Sequence, residues 1–171
     1  MADELKRRKE KNISILIYGD GTDKKELEKT CEDKKLNNVL FKGKVEKKYI
    51  PYILSKSNLN ILNYKQAKTW KYGGSQNKQF EYLASGKPIC SNVKMGYSII
   101  EKYNCGIEED ILQIDQYVDI IMKYVNMDEE EYQTECFNAS VAAKNYEYKK
   151  LSDDIEKNLK QCVSDKRKSR K

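Results

Sequence analysis

The sequence predicts an α/β fold built on a largely parallel sheet. Three observations carry this. Short apolar, β-branched runs recur along the chain. Most are closed by glycine or asparagine, and most are separated by segments of helical period. Ile13–Tyr18 is the first run and stops at Gly19-Asp20-Gly21, a buried strand ending in a tight turn. The charged segment before Lys11 reads as a helix or a frayed end. Asp23 followed by Glu26 resembles a capping box and starts a helix through about Lys34, which Asn37-Asn38 breaks. Val39–Lys42 is a second strand, ending at Gly43. Tyr49–Ser57 reads as a short helix with Pro51 tolerated in its first turn. Leu59–Leu62 is a third strand.

Residues 63–76 form a connection without apolar periodicity, and loops of this length in a compact domain are often functional. A helix follows from about Asn77 to Ser85 and stops at Gly86. Pro88–Ser91 is a fourth strand, Tyr97–Tyr103 a helix, and Cys105–Ile107 a fifth short strand. Ile114, Tyr117, Val118, Ile121, Tyr124 and Val125 keep a helical period. Glu129–Asn145 is a further helix, and Tyr148, Leu151, Ile155, Leu159 and Cys162 mark the last. The expected organisation is one domain over residues 1–163 with a basic, disordered tail over 164–171, which has no apolar residue.

Charge and composition exclude several functions. The formal net charge is +6, of which residues 1–12 supply +2 and residues 164–171 supply +4, so the body between them is neutral. Nucleic acid is not an expected partner of that body. A tail-borne, salt-sensitive affinity for nucleic acid is a separate reading, set against a solvated end that aids solubility. No apolar run approaches the roughly 18 residues of a membrane span, and Met1–Lys11 has no signal-peptide core. The five cysteines are widely spaced without a C-x-x-C pair, which reads as reduced thiols in a cytoplasmic protein. The absence of histidine excludes Ser-His and Cys-His catalysis and most zinc sites.

Ligands of open α/β sheets bind outside the carboxyl ends of the strands, where Gly19–Gly21, Gly43–Val45 and residues 63–76 would lie. The most informative stretch is Tyr72–Pro88. A Gly-rich turn, Gly73-Gly74-Ser75-Gln76, runs into a helix N-terminus whose free N–H groups and dipole suit an anion. Ser75 or Asn77 is placed to cap that helix. Lys78 falls in its first turn, where the dipole disfavours a cation by about 0.3–1 kcal/mol unless a phosphate is bound. Glu81, one turn on, has two oxygens for the vicinal hydroxyls of a sugar. The same Lys78 and Glu81 at i, i+3 also read as a surface ion pair.

In order along the chain, Ile15-Leu-Ile-Tyr-Gly-Asp-Gly21, Asn38-Val-Leu-Phe-Lys-Gly-Lys-Val45, Ile50–Leu62 and Gly73–Ile89 resemble the C-terminal, donor-binding domain of a family-4 retaining glycosyltransferase. These enzymes have the two-Rossmann-domain, GT-B fold. The last segment is close to the "GxSxNKxfeYxAxGKPi" variant of enzymes building bacterial surface polysaccharides. The resemblance implies a Rossmann-like parallel sheet with helices on both faces, and a nucleoside-diphosphate-sugar as donor substrate with no metal or other cofactor.

It further implies that Glu81 holds the ribose, as the second acidic position of the family's E-x7-E motif. Ser75, Asn77 and Lys78 approach the diphosphate or donor sugar, with Gly74 in the turn before them. Gly43 and Val45 lie in the loop touching the base, Gly19 and Gly21 shape the neighbouring crevice, and Leu83 packs near the nucleoside. Lys78 and Glu81 are the residues assigned to the chemistry.

Two departures accompany the resemblance. The first acidic position falls on Gly73. The chain also begins in the helix after the domain's first, central strand, which implies a truncated domain without its N-terminal acceptor half. Strands 13–18 and 59–62 would then flank a gap, with unpaired backbone on both sides. The expected partners are the nucleotide-sugar donor, the N-terminal acceptor domain and a lipid-linked acceptor. The expected location is the cytoplasm, peripheral to the inner face of a membrane. A non-catalytic binding domain that keeps the fold without turnover is the alternative.

Overall fold

The computed structural model describes residues 1–168, and the chain alternates strands and helices over them. β1 (Ile15–Tyr18) and β2 (Val39–Gly43) pair in parallel, with Ile15 opposite Val39 and Ile17 opposite Phe41. β3 (Asn60–Leu62), β4 (Ile89–Ser91) and β5 (Gly106–Glu108) form a second parallel sheet in that order. The two sheets share no strand pairing, so β1 and β3 do not meet as neighbours, as the expected gap requires.

Helices cover both faces of the three-stranded sheet. On one face, α4 (Asn77–Ala84), α5 (Ile99–Tyr103) and α7 (Glu129–Asn145) bring Leu83, Ile100, Ala139 and Ala142 onto Leu62 and Ile89. On the other, Tyr117 and Ile121 of α6 (Ile114–Asn126) pack with Cys90 and Ile111, joined by Met1, Ile13 and Ile61. Gly106 is fixed by sterics. It has φ of 151°, and a Cβ there would lie 1.9 Å from the Ile89 carbonyl oxygen of the neighbouring strand. Burial pushes the thiols of Cys90 and Cys105 up to about 12, in keeping with their place in the core.

The β1–β2 sheet is differently built. Leu16 is 48% exposed and Leu40 is 40% exposed, and α2 (Lys24–Asp33) buries no residue. Ile13, just before β1, ties this layer to the rest, and so does α1 (Ala2–Arg7). Lys34 donates to the Asp3 carboxylate at 2.7 Å, and Lys6 donates to the Lys34 carbonyl. From the same helix, fully buried Leu5 and the Arg8–Asp119 ion pair reach toward α6. Glu4 accepts from both Arg7 and Arg8, which hold its carboxyl down at about 2.

Several local expectations change. Asp23 stands at the N-cap of α2 but makes no capping bond; its carboxylate accepts from the Thr22 hydroxyl instead. The helix expected over Tyr49–Ser57 is a 3-10 turn, Lys47–Tyr49, leading into α3 (Ile50–Ser55). The segment from Ser164, expected as a disordered tail, continues α8 (Tyr148–Lys168) as far as Lys168. The remainder of that tail lies outside the described residues. The apolar stripe of α8, Leu151, Ile155, Leu159 and Val163, is exposed.

Two outcomes follow from this division. Amides of β1, β2 and α2 should exchange with deuterium faster than those of β4 and α7, because few buried contacts protect them; equal protection in both layers would contradict it. Glu4 has a folded-state pKa below its ordinary value. Its stabilising contribution is therefore present above about pH 5 and lost as pH falls toward about 2. The thermal midpoints of the wild type and Glu4→Gln should converge over that window.

Candidate functional site

The carboxyl ends of β3 and β4 open into two irregular segments that pack on each other. The first, residues 63–76, contains a 3-10 turn, Lys68–Tyr72, which stops at Gly73 with φ of 90°, a left-handed conformation that favours glycine. The second, residues 92–98, is gripped from below. Buried Asn92 accepts from the Tyr64 N–H at 2.7 Å and donates to the Tyr64 carbonyl at 2.9 Å, and its own carbonyl accepts from the Gln66 side chain. Gly96 N–H donates to the Trp70 carbonyl at 3.0 Å. Side chains at the glycines of this seam would collide. A Cβ on Gly96 would meet the Lys71 carbonyl oxygen at 2.0 Å, and one on Gly74 would lie 3.0 Å from both Met95 Sδ and the Trp70 ring.

This seam delivers the chain to the start of α4. The N-cap is Gln76, with extended backbone and no side-chain capping bond, so neither Ser75 nor Asn77 caps the helix. The first turn carries no acidic residue and holds Lys78. Lys78 and Glu81 are both exposed. Among the described residues they form no ion pair with each other or with another side chain. An open helix N-terminus, a cation in its first turn and an unpaired carboxylate one turn on form an arrangement suited to an anion joined to a polyhydroxyl group.

The remaining expected residues fall into two places. Gly19 donates its N–H to the Gly43 carbonyl at 2.8 Å, which joins the Gly19–Gly21 and Gly43–Val45 turns at the carboxyl ends of β1 and β2. Gly19 and Gly43 both have positive φ, at 141° and 69°. Leu83 does not border the site: it is fully buried in the core with Leu62 and Ile89. A surface hollow lined by Met1, Asp3, Lys34 and Ile114 lies beside α1 and shares no residue with the α4 turn. Among the described residues no group of histidine, cysteine or carboxylate side chains is arranged to hold a metal ion.

Reading the sequence missed the buried polar groups beneath the turn. Gln79 is 1% exposed and its side-chain oxygen has no partner; Glu108 is 2% exposed and accepts the Met95 N–H at 2.8 Å. Burial pushes the Glu108 carboxyl above its ordinary value, with the Met95 N–H opposing. The signal available was an acidic residue directly after Gly106-Ile107 in a strand otherwise apolar, masked by Glu109 and Asp110 beside it.

The family model of the group 1 glycosyl transferases matches residues 1–140 of the chain. The chain belongs to this family. Its fold is the C-terminal, Rossmann-like half of a GT-B enzyme. No curated protein matches it in sequence. Among solved structures it is similar to S. aureus TarM, determined with fondaparinux, alpha-GlcNAc-glycerol and UDP. The TM-score is 0.70 at 23% identity, over 93% of this chain and 31% of that one. It is also similar to WaaG, a glycosyltransferase involved in lipopolysaccharide biosynthesis, with a TM-score of 0.63 at 18% identity, over 85% of this chain and 37% of that one. The chain therefore spans about a third of the length of either protein. Among the described residues no helix is long and apolar enough to cross a membrane.

The seam makes a mechanical prediction. Gly96→Ala should lower stability by about 1–3 kcal/mol, because a methyl group is forced onto a backbone carbonyl. Urea unfolding measures this, and an unchanged midpoint would mean that the two loops are not in contact.

Proposed function

We propose that the chain is the nucleotide-sugar-binding half of a retaining glycosyltransferase, one that moves a sugar from a nucleoside-diphosphate donor to a glycan or lipid-linked acceptor. The observation that carries this reading is the start of α4. No side chain caps it, the Asn77 and Lys78 N–H groups have no partner among the described residues, Lys78 stands in its first turn, and exposed Glu81 follows one turn later. In a family of glycosyl transferases, that site suits the diphosphate and ribose of a donor.

The roles follow from charge. Bond cleavage at the anomeric carbon places negative charge on the departing diphosphate, and preoriented N–H groups with a lysine ammonium stabilise it. Lys78 supplies that ammonium, and the Gly74-Ser75 turn lets backbone come close. Asn77 offers polar contact to the diphosphate or sugar. The Glu81 carboxylate accepts hydrogen bonds from the ribose hydroxyls. The turns at Gly19–Gly21 and Gly43–Val45 face the base and border its crevice. No metal takes part in this scheme. The acceptor is bound by the remaining two thirds of the enzyme, at the cytoplasmic face of a membrane when it is lipid-linked.

Binding of UDP, GDP and ADP by calorimetry tests the reading. One of the three should bind, and Glu81→Ala should weaken that binding by about tenfold or more, the loss expected for hydrogen bonds to a charged group. Lys78→Ala should weaken it as well and reduce its dependence on salt. The donor reading fails if none binds, or if Glu81→Ala leaves the affinity unchanged.

A further inference from the structure

Glu108 is a buried carboxylate that the scheme above does not use. It closes β5, where its backbone pairs in register with Ser91 of β4, an arrangement that needs no particular side chain. The side chain is 2% exposed. One oxygen, Oε1, accepts the Met95 N–H at 2.8 Å; the other, Oε2, makes no hydrogen bond of ordinary geometry, and the nearby Ser98 hydroxyl helps to steady the charge. Burying a carboxylate for one amide bond and a neighbouring hydroxyl is costly, so packing alone does not account for it.

What Glu108 holds is the middle of the upper loop. Met95 is the residue whose Sδ lies 3.0 Å from the position of a Gly74 Cβ. Its neighbour Gly96 donates to the Trp70 carbonyl and sits on the Lys71 carbonyl, and Tyr97 covers Gly73, with a ring carbon 2.9 Å from the position of a Gly73 Cβ. Residues 95, 96 and 97 thus each press on the segment from Trp70 to Gly74. Other side chains hold the start of this loop: buried Ser91 donates to the Val93 carbonyl, Gln66 donates to the Asn92 carbonyl, and at the surface Asp110 accepts the Lys94 N–H at 2.9 Å.

We propose that Glu108 is the positioning residue of the α4 turn: by fixing the Met95 amide it presses residues 95–97 onto Trp70–Gly74 and so sets the backbone that a diphosphate would meet. The inference rests on reading that turn as the donor site. Its mechanical half, the hold of Glu108 on the turn, stands without any ligand.

Trp70 is the single tryptophan of the chain and lies in the seam, so it reports on the hold directly. The experiment compares the full chain with Glu108→Leu and Glu108→Gln by acrylamide quenching of Trp70, thermal melting and calorimetric binding of UDP, GDP and ADP. Leucine removes the acceptor. It should raise the quenching constant by about twofold or more while the chain still melts cooperatively. Glutamine keeps an acceptor oxygen of the same reach and should restore the wild-type value, a rescue that a need for buried charge would not allow. The affinity for the bound diphosphate should fall by about tenfold with leucine and recover with glutamine.

Unchanged quenching in a folded Glu108→Leu protein overturns the proposal, as does a glutamine variant no better than leucine. If the leucine variant does not fold, hydrogen exchange at the Met95 amide of the wild type decides. Strong protection supports the hold, and exchange at the rate of a free amide overturns it. Absence of nucleotide binding to the wild type counts against the donor reading alone, because the quenching and exchange experiments are complete without a ligand.

Discussion

A helix of six residues bridges the two sheets, beside the apolar contact of Ile13. β1–β2 and β3–β4–β5 share no strand pairing, so their relative placement depends on bridging contacts, those of Ile13 and those that α1 makes on either side. Toward α2 it offers Asp3 to Lys34 and the Ala2 carbonyl to Asn38. Toward α6 it offers buried Leu5 and the ion pair from Arg8 to Asp119. The polar contacts are largely at the surface, where an ion pair is worth little on its own. Their weight comes from number and from Glu4, which binds two arginines at once and fixes the end of the helix. Apolar burial, the usual cement of an α/β layer, is scarce on the β1–β2 side: Leu16, Ile17 and Tyr18 remain open to solvent in what reads as a buried strand.

That contrast explains which parts of the fold were legible in the sequence. α7 was readable to the residue, because Asp128 caps it through the Glu131 N–H and three acidic residues occupy its first turn. β4 was bounded by Gly86 and Pro88. Cap chemistry was less legible. Asp23 and Ser75 are residue types that cap helices, yet one bonds to Thr22 and the other stands a residue too early. A side chain with two local options chooses by backbone direction, which composition does not encode. The length of α8 was hidden for a related reason: a run of charges is as compatible with an exposed helix as with a solvated coil.

For the candidate site, the α4 turn was legible because a local pattern specifies it, glycines followed by Asn77, Lys78 and Glu81 within one and a half turns. Leu83 was read from the same motif but belongs to the core, since at this point the helix has turned its apolar face to Leu62 and Ile89. The support beneath the turn was not legible. Asn92 and Glu108 act only because the sheet register brings residues 28 and 13 positions away against them. No local window contains both partners.

The distribution of buried polar groups joins these points. Asn60, Gln79, Ser91, Asn92 and Glu108 are buried around the three-stranded sheet. Apart from Gln79, each has a partner in a loop or helix end: Ser85 for Asn60, Val93 for Ser91, Tyr64 for Asn92 and Met95 for Glu108. Loops without secondary structure cannot satisfy their own backbone, and an apolar surface offers them no direction. A buried amide or carboxylate does both, at a cost in desolvation that a purely apolar core would avoid. The three-stranded sheet accepts that cost where its loops meet α4, whereas the β1–β2 sheet buries little apolar surface on β1. The donor site proposed at the α4 turn would draw on this arrangement, because N–H groups that meet an anion's charge must already be in place.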